Sequence, residues 1–299
     1  MRNACILPLA SILWLTSACA PGPEAPCCDG DASVDPLLRD RPVEIHAPPN
    51  YQAGVPTPLL ILLHGYTLNG AKQEQLFGLS KTASEQGFLY AAPDGTVDEL
   101  KQRFWNATDG CCNLSGSNVD DVAYLHAVIQ DAKKRFNVDP KRVYFAGYSN
   151  GGFMSYRMAC EHADEIAGIV SLAGGTWTDG SRCKPSSSVA VLQVHGDMDT
   201  IIKYEGGLFA KGLSPYPSAR ETVAQWARNE GCTGLLADTG TPLDLDDGVM
   251  GAETKVERYA GCPGPAVELW TLRGSGHFPE LPSSWGTMIY KFLQANPKP

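Results

Sequence analysis

The chain has 299 residues, 43% apolar and 19% charged, which excludes a disordered polypeptide and is long enough for one large domain with a substantial core. A formal net charge of −9, with no basic run or basic–aromatic stripe, argues against a nucleic-acid partner.

The first twenty residues read as a targeting segment: MRN supplies a positive start and ACILPLASILWL an apolar run too short to span a bilayer. Two processing readings stand side by side. Leu15-Thr16-Ser17-Ala18-Cys19 is similar to a bacterial lipobox, in which Cys19 becomes a lipid-anchored N-terminus, although Thr16 sits where a larger aliphatic residue is usual. Ala18-Cys19-Ala20 is an A-x-A site that would release a soluble secreted protein. Residues 21–40 begin Pro- and Gly-rich and read as a tether, leaving 41–299 as one folded domain. Of ten cysteines, Cys5 leaves with the leader and Cys19 is lipidated or removed. Cys27, Cys28, Cys111, Cys112, Cys160, Cys183, Cys232 and Cys262 remain, without zinc-ligand spacing, so disulfides of an exported protein are expected with connectivity open.

Strand and helix patterns then alternate. VEIHAP and PLLILLHG read as strands, the second apolar throughout as in a strand buried on both faces. GAKQEQLFGLSKTASEQ reads as a helix and FLYAAPDG as a strand. VDDVAYLHAVIQDAKKRF carries an amphipathic spacing at Val122, Leu125, Val128, Ile129 and Ala132, with acids at its start and bases at its end. Next come strand RVYFAGYS, helix GGFMSYRMACEHA, strands EIAGIVSLAGG and VAVLQVHG, and helix SARETVAQWARNEG. Strands around TKVERYAG and AVELWTLRG and helix SWGTMIYKFLQANP complete the chain. The alternation predicts an α/β fold with a mostly parallel central sheet and helices on both faces. The acidic stretch TPLDLDDGVMGAE lacks calcium-loop spacing and reads as a solvated loop.

Gly147-Tyr148-Ser149-Asn150-Gly151 is a G-x-S-x-G between a strand and a helix, the context of a nucleophile elbow. A serine hydroxyl needs a base and the base an orienting acid, in the order Ser, Asp/Glu, His for this architecture. Of six histidines His162, His195 and His277 follow Ser149, and His162 and His195 precede both nearby aspartates, which leaves His277 in RGSGHFPE. The acid falls in VAVLQVHGDMDT at the end of a strand, where spacing alone leaves Asp197 and Asp199 open. Oxyanion donors are expected from the backbone N–H of Asn150 and of Tyr66 after LLHG, with Thr67 N–H second; His64 reads as structural.

Together LLHGYTLNG, FLYAAPDGT, RFWNATDGCC, VDDVAYL, GYSNGGFMSYRMAC, HGDMDTIIKYEGG and GSGH resemble the polyhydroxybutyrate depolymerase-like esterases of the α/β-hydrolase superfamily, relatives of feruloyl and acetylxylan esterases, from about Val43 to the C-terminus. That resemblance implies Asp199 as the acid, with Tyr204, Gly206 and Gly207 in place and Ile202-Lys203 where Val-Pro is usual. It implies Trp105 as a wall of the acyl pocket, beside the alternative of a core tryptophan, and puts Phe278 near substrate, Phe278-Pro279-Glu280 standing where the family often has Thr-Trp-Pro; Thr67, in the turn after LLHG, is a further substrate-binding candidate. It also implies pairs Cys160–Cys183 and Cys232–Cys262, with Cys111 and Cys112 bracing the rim. The expected activity is hydrolysis of carboxylic esters, polymeric ones included, without a cofactor, outside the cell or lipid-anchored through Cys19. A serine peptidase of the same superfamily and a catalytically silent surface-binding lipoprotein are the rival readings.

Overall fold

The computed structural model describes residues 35–299; the leader, Cys19, Cys27, Cys28 and the tether up to residue 34 lie outside the described residues. In chain order the elements are α1 (Pro36–Asp40), β1 (Ile45–His46), β2 (Thr57–Leu63), α2 (Gly70–Phe77), α3 (Leu79–Gln86), β3 (Leu89–Ala91), β4 (Thr96–Val97) and β5 (Arg103–Phe104). They continue with α4 (Asp121–Arg135), β6 (Val138–Tyr148), α5 (Asn150–Glu161), β7 (Gly168–Leu172), β8 (Ala190–Gly196), α6 (Ala219–Asn229), β9 (Leu236–Asp238), β10 (Thr254–Tyr259), β11 (Val267–Leu272) and α7 (Trp285–Gln294).

Among the described residues, nine strands form one sheet in the order β1-β3-β2-β6-β7-β8-β11-β10-β9, and β4 with β5 make a separate hairpin. The six central strands from β3 to β11 run parallel; β1, β10 and β9 pair antiparallel at the edges. Side chains alternate between two cores, as the two-residue period of a strand requires. Leu59, Ile61 and Leu63 of β2 join the core beneath α4, α5 and α6, while Leu60 and Leu62 join the one beneath α3 and α7. Helices thus cover both faces, as the alternation of elements predicts. Each fully buried Leu or Ile of β2 contributes roughly 2 kcal/mol, so a charge at any of them would break the sheet at its centre.

The helix expected over residues 70–86 is two helices, because Gly78 adopts φ +62°, the left-handed conformation that ends α2 and starts α3. Asp120 caps α4 by accepting the Ala123 N–H at 2.9 Å, and Lys133, Lys134 and Arg135 lie in its last turn, as the charge pattern suggests. Pro36–Asp40, at the end of the stretch read as tether, form α1, and Leu38 is buried in the first core. Among the described residues three disulfides join Cys111 to Cys112, Cys160 to Cys183 and Cys232 to Cys262. Among the described residues no helix is long and apolar enough to cross a membrane.

The sheet also fixes where a site can lie. From β2 the chain crosses to β3 on one side and later to β6 on the other, which opens a crevice beyond the carboxyl ends of β2 and β6. Leu63 stands opposite Gly147, so the His64-Gly65 turn sits beside Tyr148-Ser149. Gly196 stands opposite Leu272, which sets the loop of Asp197 and Asp199 beside the loop of His277.

Candidate active site

Ser149 sits at the turn from β6 into α5 with φ 52° and ψ −116°, a conformation disfavoured for any residue with a side chain. Its surroundings over-determine that strain. A Cβ on Gly147 would run into the Gly151 carbonyl oxygen, and one on Gly151 into the Leu63 carbonyl oxygen, so both flanking glycines are needed for this turn. The Ser149 N–H donates to Leu172 O at 2.8 Å, pinning the turn to β7. Ser149 Oγ makes no hydrogen bond among the described residues and faces a cavity of about 190 Å³.

Beside the serine, the turn after β2 is held by groups from far along the chain. His64 donates from Nδ1 to Gly65 O at 2.8 Å and accepts the Gly95 N–H on Nε2 at 2.8 Å, which defines a neutral ring. Burial pushes its pKa down to about 4, against a smaller upward pull from the Gly65 hydrogen bond. His64 therefore latches the turn and carries no free base nitrogen. The Thr67 N–H donates to Arg103 O at 2.8 Å, with Thr67 at φ +71°. The N–H groups of Tyr66 and Asn150 make no hydrogen bond among the described residues. Of the two N–H groups considered in the β2 turn, Thr67's is thus engaged and Tyr66's is not. Tyr66 also donates its hydroxyl to Asp98 Oδ2 at 3.1 Å, tying the turn to the β4–β5 hairpin, and Gly65 leaves room for the Tyr148 ring, which a Cβ there would approach to 2.9 Å.

On the other side of the crevice, Asp199 Oδ2 lies 2.6 Å from His277 Nδ1. Asp199 Oδ1 accepts the N–H groups of Ile201 at 2.8 Å and Ile202 at 2.9 Å, so the carboxylate is buried but fully solvated by donors. Burial would raise its pKa, but hydrogen bonds from His195 and His277 outweigh it and hold the carboxyl well below its ordinary range. An ionised Asp199 requires the proton on His277 Nδ1, which leaves Nε2 as the basic nitrogen. Asp197 does something different: its Oδ1 accepts the Gly274 N–H at 2.7 Å and steadies the histidine loop without touching the ring. His195 Nε2 lies 2.6 Å from the Ile202 carbonyl, which can only accept, so that nitrogen carries a proton; Nδ1 accepts from Gln193 at 3.1 Å. His195 is thus a buried brace of the acid loop.

Ser149 and His277 share their cavity with Tyr66, Thr67, Leu68, Ile201, Phe209 and Phe278, a mostly apolar lining. Phe278 stands at its mouth, 71% exposed. Trp105 is fully buried and does not line this cavity; here the core alternative describes it. Its indole N–H donates to His64 O at 3.0 Å, and its backbone pairs with the Asn150 side chain, N–H to Oδ1 at 2.7 Å and Nδ2 to Trp105 O at 3.0 Å. Tryptophan at this place supports the floor of the site. Cys111 and Cys112 are buried and do not line the cavity either. Among the described residues no group of three or more His, Cys, Asp or Glu side chains is arranged to hold a metal ion.

The acidic stretch read as a solvated loop differs most from expectation. Leu245 and Asp246 are buried, and Asp246 accepts hydrogen bonds from the Ser275 hydroxyl and the Glu280 N–H, on either side of His277. Nothing local could have pointed to it, since those partners lie 29 and 34 residues away.

A family model described as Phospholipase/Carboxylesterase matches residues 114–214, which span β6, the elbow, β7 and β8. Feruloyl esterase B of Piromyces equi is 31% identical over 245 residues, covering 79% of this chain and 42% of that one. A putative esterase NocK of Nocardia uniformis is 28% identical, over 80% of this chain and 70% of that one. Poly(3-hydroxyalkanoate) depolymerase C of Paucimonas lemoignei is 26% identical, over 78% and 57%. This chain therefore spans less than half the length of the first of these relatives. Among solved structures, acetyl xylan esterase from Aspergillus awamori superposes with a TM-score of 0.57 at 15% identity, over 84% of this chain and 93% of that one. Fold and sequence together give the chain an α/β-hydrolase fold. Within that class it is related to the feruloyl esterases and polyhydroxyalkanoate depolymerases, the group its motifs resemble.

Proposed function

We propose that this chain hydrolyses carboxylic esters, with Ser149 as nucleophile, His277 as base and Asp199 as the acid that orients it. The observation that carries the reading is the 2.6 Å contact of His277 Nδ1 with Asp199, on the cavity that the strained Ser149 also faces. Ser149 Oγ attacks the ester carbonyl carbon while His277 Nε2 takes its proton; the contact between the two tightens as substrate seats. The tetrahedral oxyanion is met by the N–H groups of Asn150 and Tyr66, which have no other partner among the described residues. His277 then hands the proton to the departing alcohol. Water, deprotonated by the same nitrogen, releases the acid from the acyl-serine. None of these steps calls on a cofactor.

The apolar lining suits an aromatic or aliphatic acyl group. Relatives named as feruloyl esterases and as a poly(3-hydroxyalkanoate) depolymerase direct the choice to feruloyl or hydroxyacyl esters, polymer-borne ones included. Export, as a soluble protein or anchored through Cys19, is part of the proposal and is supported by the leader pattern and the three disulfides.

The test is a panel of p-nitrophenyl acyl esters, methyl ferulate, hydroxybutyrate oligomers, acetylated xylan and peptides, with fluorophosphonate labelling of Ser149. Ester turnover that disappears in Ser149→Ala supports the reading. Turnover of peptides alone overturns it in favour of a peptidase, and an unlabelled Ser149 with no turnover in favour of a silent fold.

A further inference from the structure

We propose that Asp246 is a positioning residue for the histidine of this site, one buried carboxylate that grips the His277 loop on both flanks. The inference rests on reading His277 as the base. From Arg273 to Ser284 the chain has no helix or strand, and Gly274 stands at φ +78°. A segment of this kind has no ladder of its own to hold a side chain to the tolerance that proton transfer needs. Its position has to come from outside the segment.

Several contacts supply it. Asp197 Oδ1 accepts the Gly274 N–H, the Met198 N–H donates to Ser275 O at 3.0 Å, and the Tyr148 hydroxyl donates to His277 O at 2.9 Å. Each of these acts at a single point at or before the histidine. Among the described residues Asp246 alone reaches both sides of it. Its Oδ2 accepts from the Ser275 hydroxyl, two residues before His277, and its Oδ1 accepts the Glu280 N–H at 2.9 Å, three residues after. The Gly248 N–H, at 3.0 Å from the same Oδ1, steadies the carboxylate within its own turn, and the Asp247 N–H to Glu280 O at 2.8 Å doubles the downstream tie.

Burial explains why the grip is a carboxylate. At 5% exposure an acid is tolerable only where donors replace its hydration, and three converge on it. Removing it leaves the Ser275 hydroxyl and the Glu280 N–H without their acceptor and frees the loop at both ends. Ser149, Asn150 and Tyr66, carried by β6, α5 and the turn after β2, keep their own supports. The loss should therefore fall on proton transfer and spare substrate binding.

The experiment compares kcat and KM for a short-chain p-nitrophenyl ester in wild type, Asp246→Ala, Asp246→Asn and Ser275→Ala, with thermal unfolding and the low-field Nδ1–H proton resonance of His277 recorded for each. Asp246→Ala is expected to lower kcat by roughly 30- to 100-fold, with KM within about threefold, and to broaden or erase the low-field proton. Asp246→Asn, whose amide oxygen still accepts both N–H groups, should recover most of that loss. Ser275→Ala, which removes one leg, should cost kcat several-fold. If Asp246→Ala does not fold, Ser275→Ala decides by the same criteria. A folded Asp246→Ala with kcat within about threefold of wild type overturns the proposal, as does a loss carried by KM with the proton resonance unchanged. Failure of the underlying reading looks different: wild type then turns over no ester, or His277→Ala keeps its turnover.

Discussion

At the ends of β2 and β6 the site is made of backbone. Gly147 and Gly151 allow main chains to approach so closely that no side chain fits between them, and peptide groups do the work of alignment. At the ends of β8 and β11 it is made of carboxylates: Asp199 meets the imidazole, Asp197 holds Gly274, and Asp246 holds Ser275 and Glu280. The first side is rigid because its parts are covalently short and sterically forced. The second is a pair of irregular loops whose geometry is set by charge-assisted hydrogen bonds over long sequence distances. A substitution should therefore act by clash on the β2–β6 side and by lost orientation on the β8–β11 side.

The sharpest challenge to that division is the pair of neighbouring aspartates. Asp199→Asn is expected to lower kcat by roughly 10³- to 10⁴-fold at neutral pH, because an amide cannot hold the imidazole in the required tautomer. Asp197→Asn keeps an acceptor for the Gly274 N–H and should stay within about fivefold of wild type. Steady-state kinetics on both variants checks this, and the reverse ranking would exchange their roles. On the β2–β6 side, Gly151→Ala drives a methyl into the Leu63 carbonyl and is expected to cost about 3 kcal/mol or more of stability, read as a lowered denaturation midpoint with little soluble protein. A well-folded, fully active Gly151→Ala would break the claim that this side is sterically forced.

A pH titration reads the His64 latch. The unfolded chain takes up a proton on His64 below about pH 6.5, whereas the folded ring stays neutral until about pH 4. The unfolded state therefore binds more protons in that window, and stability falls as the pH falls, by about 3 kcal/mol in all. Urea midpoints measured from pH 7 to pH 4 should show this slope, and His64→Gln should flatten it. The smallest effect belongs to Tyr66→Phe, which removes the hydroxyl tie to Asp98 and keeps the backbone donor; kcat should fall no more than about threefold with stability lowered by about 1 kcal/mol.

The same division explains what could be read from residues alone. The elbow was legible because its requirement is local: a strand, two glycines around a serine, then a helix, all within Arg142–Cys160. The apolar run of β2 was legible because burial on both faces leaves no polar position from Leu59 to Leu63. Asp197 and Asp199 could not be separated by spacing, since the difference lies in which way each carboxylate turns, toward Gly274 or toward His277. Asp246 looked like one more acid in a polar stretch because its partners are remote. The break at Gly78 was visible as a glycine but not as a helix end, since an isolated glycine inside a helical pattern is often tolerated. Trp105 shows the limit of analogy, for its indole N–H and backbone are both committed beneath the site.

The pairing of Asn150 with Trp105 has a consequence for charge. Its amide takes the place of a peptide group, accepting with Oδ1 and donating with Nδ2, at a residue whose own N–H is proposed to face the oxyanion. An aspartate of the same shape would keep the accepting half, turn its second oxygen against the Trp105 carbonyl, and set a formal negative charge beside the one that develops on substrate. The site thus calls for a side chain that is polar at both ends and electrically neutral as a whole, at a position the G-x-S-x-G pattern leaves open.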